Sequence, residues 1–124
     1  MTKTIVQTDQ APKSPFYRQA VKAGGLIFVS GQAPTDQTGK ILGTTIQEQT
    51  NQCLKNIQTI LEAAGSSMDK VVSATFILAE PDDFMGMNEE WLKWFPNDKP
   101  ARQGAKLPLQ VPGLKLSIAV VAEA

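Results

Sequence analysis

The sequence contains no histidine and a single cysteine, Cys53. Without histidine there can be no Ser-His-Asp triad, no Cys-His pair and no imidazole ligand for a metal. One cysteine cannot form an intrachain disulfide or a thiolate zinc cluster. The acidic residues are scattered and are never spaced as in an EF-hand, so we expect no metal site. An enzyme built from this chain must work with arginine, lysine, tyrosine, carboxylates, hydroxyls and backbone amides.

The sequence also lacks net charge and long apolar runs. Twelve basic residues balance twelve acidic ones, so a nucleic-acid partner or an anionic membrane surface is not expected. No run approaches the roughly 18 apolar residues of a membrane span, and no signal-peptide core is present. We therefore expect a cytoplasmic protein, with the mitochondrial matrix as the alternative location.

What the chain does have is enough apolar residues for one folded domain. It has 124 residues, of which 42% are hydrophobic and 19% are charged. These values are typical of a globular domain and not of a disordered chain. No internal repeat and no Pro/Gly/Ser linker divides it, so we predict a single domain over residues 1–124.

Hydrophobic alternation and turn residues predict the strands. They lie at residues 3–7, 17–23, 26–30, 41–42, 71–79, 101–107 and 114–122. The Gly24-Gly25 pair between the second and third of these predicts a tight hairpin. The continuous apolar run at 71–79 predicts a strand that is buried on both faces.

Two segments have helical periodicity. In residues 45–64, Thr45 and Glu48 form a capping-box pattern at the start and Gly65 is a typical stop. In residues 81–95, Pro81 is suited to the first turn, and the chain must leave the helix before Pro96. The second helix carries its large apolar residues on one stripe, namely Phe84, Met87, Trp91, Trp94 and Phe95.

The order of these elements predicts an α+β fold, with one mixed sheet and both helices packed on one of its faces. The other face then has no cover within the chain. We predict that this face is apolar and carries Leu26, Phe28, Val72, Thr75, Ile77, Ile118 and Val120. Because such a surface should be buried, we expect an oligomer.

Arg102 is the first candidate functional residue, since the chain has only two arginines against ten lysines. Its guanidinium, at the start of a strand, can hold a small carboxylate or phosphate through two parallel hydrogen bonds. A structural ion pair at the surface or at a subunit interface is the alternative role.

Tyr17, the Ser30-Gly31-Gln32 turn and Asn88 could also line a ligand site. Tyr17, the only tyrosine, could donate a hydrogen bond, and Gly31, in the Ser30-Gly31-Gln32 turn, allows close backbone approach. Asn88 lies between apolar helix positions. A structural role is the commoner one for Tyr17 and for Asn88, and a simple strand-end turn explains Ser30-Gly31-Gln32 equally well.

Several blocks of the sequence resemble the Rid/YjgF family of enamine and imine deaminases, also called the endoribonuclease L-PSP family. They are YRQAV at 17–21, LIFVSGQ at 26–32, LEAAGSSMDKVV at 61–72, Asn88, and KPAR at 99–102. The blocks occur in family order and cover nearly the whole chain.

This resemblance implies a chorismate-mutase-like subunit in a homotrimer, with ligand clefts between subunits. It implies hydrolysis of 2-aminoacrylate-type enamines and 2-imino acids to 2-oxo acids and ammonia, without a cofactor. Arg102 then pairs with the substrate carboxylate, Ser30 and Gly31 line the cleft through their backbone, and Tyr17 reaches in from the first loop. Asn88 is a further position expected to bind the substrate.

The sequence departs from the family pattern at two places. Gln103 and Gly104 follow the arginine, where the family often has a small hydroxyl residue and then cysteine or threonine; we expect Gly104 to line the site. Ser117 stands where the family often has a glutamate that positions the attacking water. We therefore assign Ser117 to the catalytic group with Arg102 and Tyr17.

Two other functions remain open at this stage. One is a non-hydrolytic relative that binds small carboxylates, or a specialised-pathway enzyme that uses the same cleft. The other is ribonuclease activity, which the zero net charge and the absence of basic clustering disfavour.

Overall fold

A computed structural model describes residues 2–124. In this range the strands are β1 (Thr4–Val6), β2 (Ala20–Ala23), β3 (Leu26–Gln32), β4 (Val71–Leu78), β5 (Ala101–Lys106) and β6 (Leu116–Glu123). The helices are α1 (Ile46–Ala63), between β3 and β4, and α2 (Phe84–Trp94), between β4 and β5. None of the helices in residues 2–124 is long and apolar enough to cross a membrane.

The strands form one mixed sheet in the order β1-β2-β3-β6-β4-β5. All neighbouring pairs are antiparallel except β4 and β5, which are parallel and joined through α2. The α+β class, the mixed sheet and the two helices on one face are as predicted. The strand order places β5, with Arg102, at one edge of the sheet.

Helix α1 begins and ends as the sequence predicts. The Thr45 side chain accepts a hydrogen bond from the Glu48 amide, and the Glu48 carboxylate accepts one from the Thr45 amide. After the helix, Gly65 adopts a left-handed conformation with φ of 83°. The apolar stripe of α1 packs on the sheet and includes Cys53, and burial raises the pKa of that thiol far above its usual range. Cys53 is therefore an inert core residue.

The core lies between the helices and one face of the sheet. From β6 it takes Leu116, Ile118, Val120 and Ala122, all of which are almost fully buried. The prediction that Ile118 and Val120 lie on the open face was therefore wrong. The odd-numbered residues of β6, Ser117 to Val121, point to the open face instead, because successive side chains alternate across a strand.

The prediction that β4 is buried on both faces was also wrong. Val71, Ala74 and Leu78 are buried, whereas Ser73, Thr75 and Ile77 are only partly covered on the open face. Phe28, on β3, has 46% of its surface exposed on the same face. An irregularity in the pairing of β4 with β6, between Val71 and Ser73, leaves Val72 exposed as well.

Three predicted elements differ clearly in form from the prediction. The strand that was predicted to begin at Tyr17 begins at Ala20, because residues 17–19 belong to the preceding loop. The segment at 41–42 makes a single bridge, from Ile41 to Thr35. The second helix opens with a 3-10 turn, Pro81–Asp83, before α2 starts at Phe84.

Candidate functional site

Arg102 lies on the helix side of the sheet. In the parallel pair it stands beside Ala74, a core residue of β4, so its side chain extends toward α2. There Nη1 donates a hydrogen bond of 2.8 Å to Oδ1 of Asn88. The structure therefore brings together two of the predicted site residues, which come from different elements.

Three aromatic rings surround the Arg102 guanidinium. Its central carbon lies 5.1 Å from the ring centre of Phe76, 5.6 Å from that of Phe84 and 5.0 Å from that of Trp91. At these distances each ring face attracts the cation. Sequence reasoning missed this role for the rings, although Phe84 and Trp91 belong to the predicted apolar stripe of α2.

No acidic side chain neutralises Arg102 within the described chain. The ion pairs of residues 2–124 with an N–O distance of 4.0 Å or less involve only lysines. Burial among the rings lowers the pKa of Arg102 from its ordinary value, but an arginine still carries its charge at neutral pH. A partly buried cation that lacks a carboxylate partner is suited to an anionic ligand.

The guanidinium faces a surface cleft of about 430 Å³. This cleft, called the Arg102 cleft below, is lined by Met85, Asn88, Trp91, Leu92, Lys99, Pro100 and Arg102. The Lys99 ammonium is held by backbone carbonyl oxygens of Pro96, at 3.1 Å, and Asn97, at 3.5 Å. Both cations of the cleft thus donate to amide oxygens, and neither is paired with a carboxylate within residues 2–124. Arg102 is the more buried of the two.

Gly104 makes room for the Phe76 ring, which contacts Arg102. The two residues are paired across the parallel strands, and the Phe76 ring lies directly over the glycine. A Cβ atom at position 104 would come within 2.1 to 2.4 Å of three ring carbons. The absence of a side chain at Gly104 thus allows Phe76 to occupy the position from which it contacts Arg102.

The remaining predicted residues form a second group, centred on β3 and β6. A Cβ atom at Gly31 would lie 3.9 Å from the Ser117 Oγ, so these two residues are neighbours. The Ser30 hydroxyl donates a hydrogen bond of 2.7 Å to the carbonyl oxygen of Arg18. This contact joins the end of β3 to the loop that carries Tyr17.

Tyr17 and its loop project from the subunit. Phe16 has 90% and Tyr17 55% of its surface exposed. The base of the loop is fixed by the buried Gln19 side chain. Its Nε2 donates to the carbonyl oxygens of Thr8, Ala11 and Pro12, and its Oε1 accepts from the Thr8 amide at 2.7 Å.

Within one chain the two groups do not meet. Arg102 extends to the helix side of the sheet and Ser117 to the open side. Two strands, β6 and β4, separate Gly31 on β3 from Arg102 on β5. Three interstrand spacings amount to roughly 14 Å. A small substrate on Arg102 therefore cannot also reach Gly31 of the same subunit, and Ser117 lies on the other face of the sheet.

The strand order and the two helices define one α+β subunit with Arg102 on an edge strand, and comparison with known proteins identifies its family. The family model described as endoribonuclease L-PSP matches residues 8–124. The chain belongs to this family, which confirms the Rid/YjgF resemblance.

Individual relatives agree with this assignment. The protein mmf1, mitochondrial, of Schizosaccharomyces pombe is 39% identical over 124 residues, which cover 98% of this chain and 76% of that protein. Reactive Intermediate Deaminase A, chloroplastic, of Arabidopsis thaliana is 42% identical over 113 residues, which cover 86% of this chain and 60% of that protein. The crystal structure of Escherichia coli TdcF with bound serine has a TM-score of 0.87 at 31% identity, with 98% of both chains covered.

The contact between Gly104 and Phe76 can be tested by Gly104→Ala. The new methyl group must displace the ring, so we expect the free energy of unfolding to fall by about 1–3 kcal/mol. In a Phe76→Leu background the same change should cost much less, because the smaller side chain leaves room. Urea denaturation of the four proteins measures this coupling. Equal costs in both backgrounds would contradict the account.

Proposed function

We propose that this protein is a cofactor-independent deaminase, which hydrolyses reactive 2-enamine and 2-imino acids to 2-oxo acids and ammonia. The observation that carries the proposal is Arg102, a partly buried cation with an amide but no carboxylate as its partner. A guanidinium in this state can pair with the carboxylate common to these substrates. The name of the Arabidopsis relative, Reactive Intermediate Deaminase A, supports the same reaction class.

The hydrolysis of an imine needs few groups from the protein. An iminium carbon next to a carboxylate is already electrophilic, so the site needs only to hold the acid and admit a water molecule. Fixing the substrate through Arg102 lowers the entropic cost of the attack. The contacts of Phe76, Phe84 and Trp91 with the guanidinium restrict its orientation, so that less freedom is lost when substrate binds.

We further propose that a homotrimer completes the site, with each cleft formed between two subunits. Two observations support this assembly. The open sheet face exposes apolar side chains such as Phe28, and the Arg102 group lies far from the group of Ser30, Gly31 and Ser117 within one chain. A neighbouring copy can bring its Tyr17 loop and its Ser117 to the Arg102 cleft, which a single chain cannot do.

A non-hydrolytic carboxylate binder is the second candidate function, and Ser117 is the observation that favours it. A serine hydroxyl can hydrogen-bond a water molecule but cannot take a proton from it at neutral pH. Carboxylate binding through Arg102 does not depend on this step.

For the cellular location we propose the cytosol or the mitochondrial matrix. The relative from S. pombe, which is named as mitochondrial, supports the second.

Substitution of Arg102 tests the carboxylate anchor. Arg102→Ala should cost about 2–4 kcal/mol of transition-state binding, seen as a loss in kcat/KM for imine hydrolysis. Arg102→Lys keeps the charge but loses the fork geometry, so it should also lose most of the activity. An amino-acid oxidase that generates imines in situ supplies the substrate. The melting temperature of both variants should change little.

The opposite pattern would refute the assignment. If Arg102→Ala keeps its specific activity but melts at a clearly lower temperature, or if its subunits separate, Arg102 is a structural residue. If the wild type binds 2-oxo acids but hydrolyses no imine above the uncatalysed rate, the binder function replaces the deaminase function.

Ser117→Glu tests why hydrolysis should be slow. Loss of a positioned general base typically costs about 10²–10⁴ in rate, so we expect weak wild-type turnover that rises in the glutamate variant. Affinity for a 2-oxo acid should stay unchanged. Ser117→Gln is the matched control. Glutamine has nearly the size of glutamate but no carboxylate, so this variant should not raise turnover. Efficient wild-type turnover that glutamate does not improve would show that another group activates the water.

A further inference from the structure

The loop that carries Tyr17 has no helix or strand to hold it in place. It spans residues 7–19, called the Tyr17 loop below, and joins β1 to β2. Pro12 and Pro15 interrupt it and cannot donate backbone hydrogen bonds. Loops of this kind are more mobile than the elements that they connect. If Tyr17 is to reach a ligand in one defined position, another group of the subunit must fix the loop.

The Gln19 side chain makes the contacts that fix it. Gln19 is the one polar residue in the range 7–19 that is almost fully buried, with 2% of its surface exposed. Its Nε2 group shares two hydrogens among the carbonyl oxygens of Thr8, Ala11 and Pro12, at 2.9 to 3.0 Å. Its Oε1 accepts from the Thr8 amide. One side chain thus binds four backbone groups in the first half of the loop.

The backbone of Gln19 joins the same loop to the end of β3. Its amide donates a hydrogen bond of 3.0 Å to Oε1 of Gln7, and its carbonyl oxygen accepts one of 2.9 Å from the Ser30 amide. The Ser30 hydroxyl donates to the neighbouring carbonyl oxygen, that of Arg18. Gln19 therefore connects the start of the loop, the segment next to Tyr17, and Ser30.

Resting on the proposed deaminase function, we infer that Gln19 is a positioning residue, which holds the Tyr17 loop in its ligand-binding conformation before substrate binds. Gln19 does not touch the ligand and acts through Tyr17 and Ser30. A loop that is fixed in advance loses little conformational freedom on binding, so the ligand is bound more tightly. Without the Gln19 amide, the buried carbonyl oxygens that it binds would lack a donor, and the loop would have to move to expose them to water.

Gln19→Glu removes the donor and keeps the size of the side chain. An ionised carboxylate can only accept hydrogen bonds, so it would repel the carbonyl oxygens around it. Burial without a cationic partner should raise the pKa of this carboxyl above its ordinary value, and its protonated form has an O–H donor again. We therefore expect a displaced loop at pH 8 and a native-like loop at pH 6. The charged residues of the loop are Asp9 and Lys13, which pair with each other, and the exposed Arg18.

Tyr17 is the only tyrosine of the chain and is therefore a specific probe of the loop. Protein labelled with fluorotyrosine gives one fluorine NMR signal, which is compared with that of the wild type at the same pH. In Gln19→Glu this signal should move toward that of the free amino acid at pH 8 and return at pH 6. The Kd for 2-oxobutanoate should rise about tenfold at pH 8 and stay close to the wild-type value at pH 6.

Gln49→Glu is the matched control. Gln49 is equally buried, and its side chain also joins loops, through the carbonyl oxygens of Gly43 and Gly113 and the Lys115 amide. It makes none of these bonds to the Tyr17 loop. Its substitution should therefore lower the stability at pH 8 in a similar way and leave the fluorotyrosine signal unchanged.

The outcomes separate this inference from the proposed function. If the signal of Gln19→Glu follows the wild type at both pH values, or if it moves while the Kd does not, Gln19 is not a positioning residue. Neither result touches the deaminase function, which fails instead if the wild type hydrolyses no imine above the uncatalysed rate.

The wild type supplies a second test, which decides the matter if tryptophan fluorescence shows that Gln19→Glu is unfolded at pH 8. The Thr8 amide donates to the Gln19 side chain at 2.7 Å. It should therefore exchange with solvent deuterium as slowly as the amides that pair β2 with β3. Exchange as fast as in an unstructured peptide would show that the Tyr17 loop is not held, and would refute the inference.

Discussion

The packing of the Arg102 guanidinium among three aromatic rings is the interaction on which the proposed chemistry depends. It requires the parallel pairing of β5 with β4, which directs Arg102 toward α2. It also requires a glycine at position 104, since a Cβ there would meet the Phe76 ring. The rings hold the cation without neutralising it, and Asn88 contributes the only amide contact it makes in the described chain. The charge is thus partly desolvated and still available to an anion.

Much of the fold follows from local signals in the sequence. The capping box of Thr45 and Glu48, the left-handed Gly65 and the Gly24-Gly25 hairpin each depend on neighbouring residues, so they could be predicted. The faces of the strands could not. An apolar run does not reveal which alternate residues face the helices, and Ile118 and Val120 were therefore assigned to the wrong face. Pairing between distant strands fixes that choice.

The candidate site was predictable in its residue types and not in its arrangement. The rarity of arginine and the KPAR block singled out Arg102, and the structure places it against Asn88 as a site would require. The rings that surround it come from β4 and α2, and only tertiary packing brings them together. Likewise, nothing in the sequence alone shows that Ser117 and Arg102 lie on opposite faces of the sheet. That separation is the reason to propose that a second subunit completes the cleft.

The most direct test of the central claim is a crystal structure of the protein grown with a 2-oxo acid such as 2-oxobutanoate. The account predicts that both carboxylate oxygens lie about 3 Å from the Arg102 guanidinium nitrogens. It also predicts that a neighbouring copy in a trimer supplies Ser30, Gly31 and Ser117 on the other side of the ligand. A structure in which Arg102 pairs with an acidic side chain of a neighbouring copy, with the 2-oxo acid bound elsewhere, would contradict it.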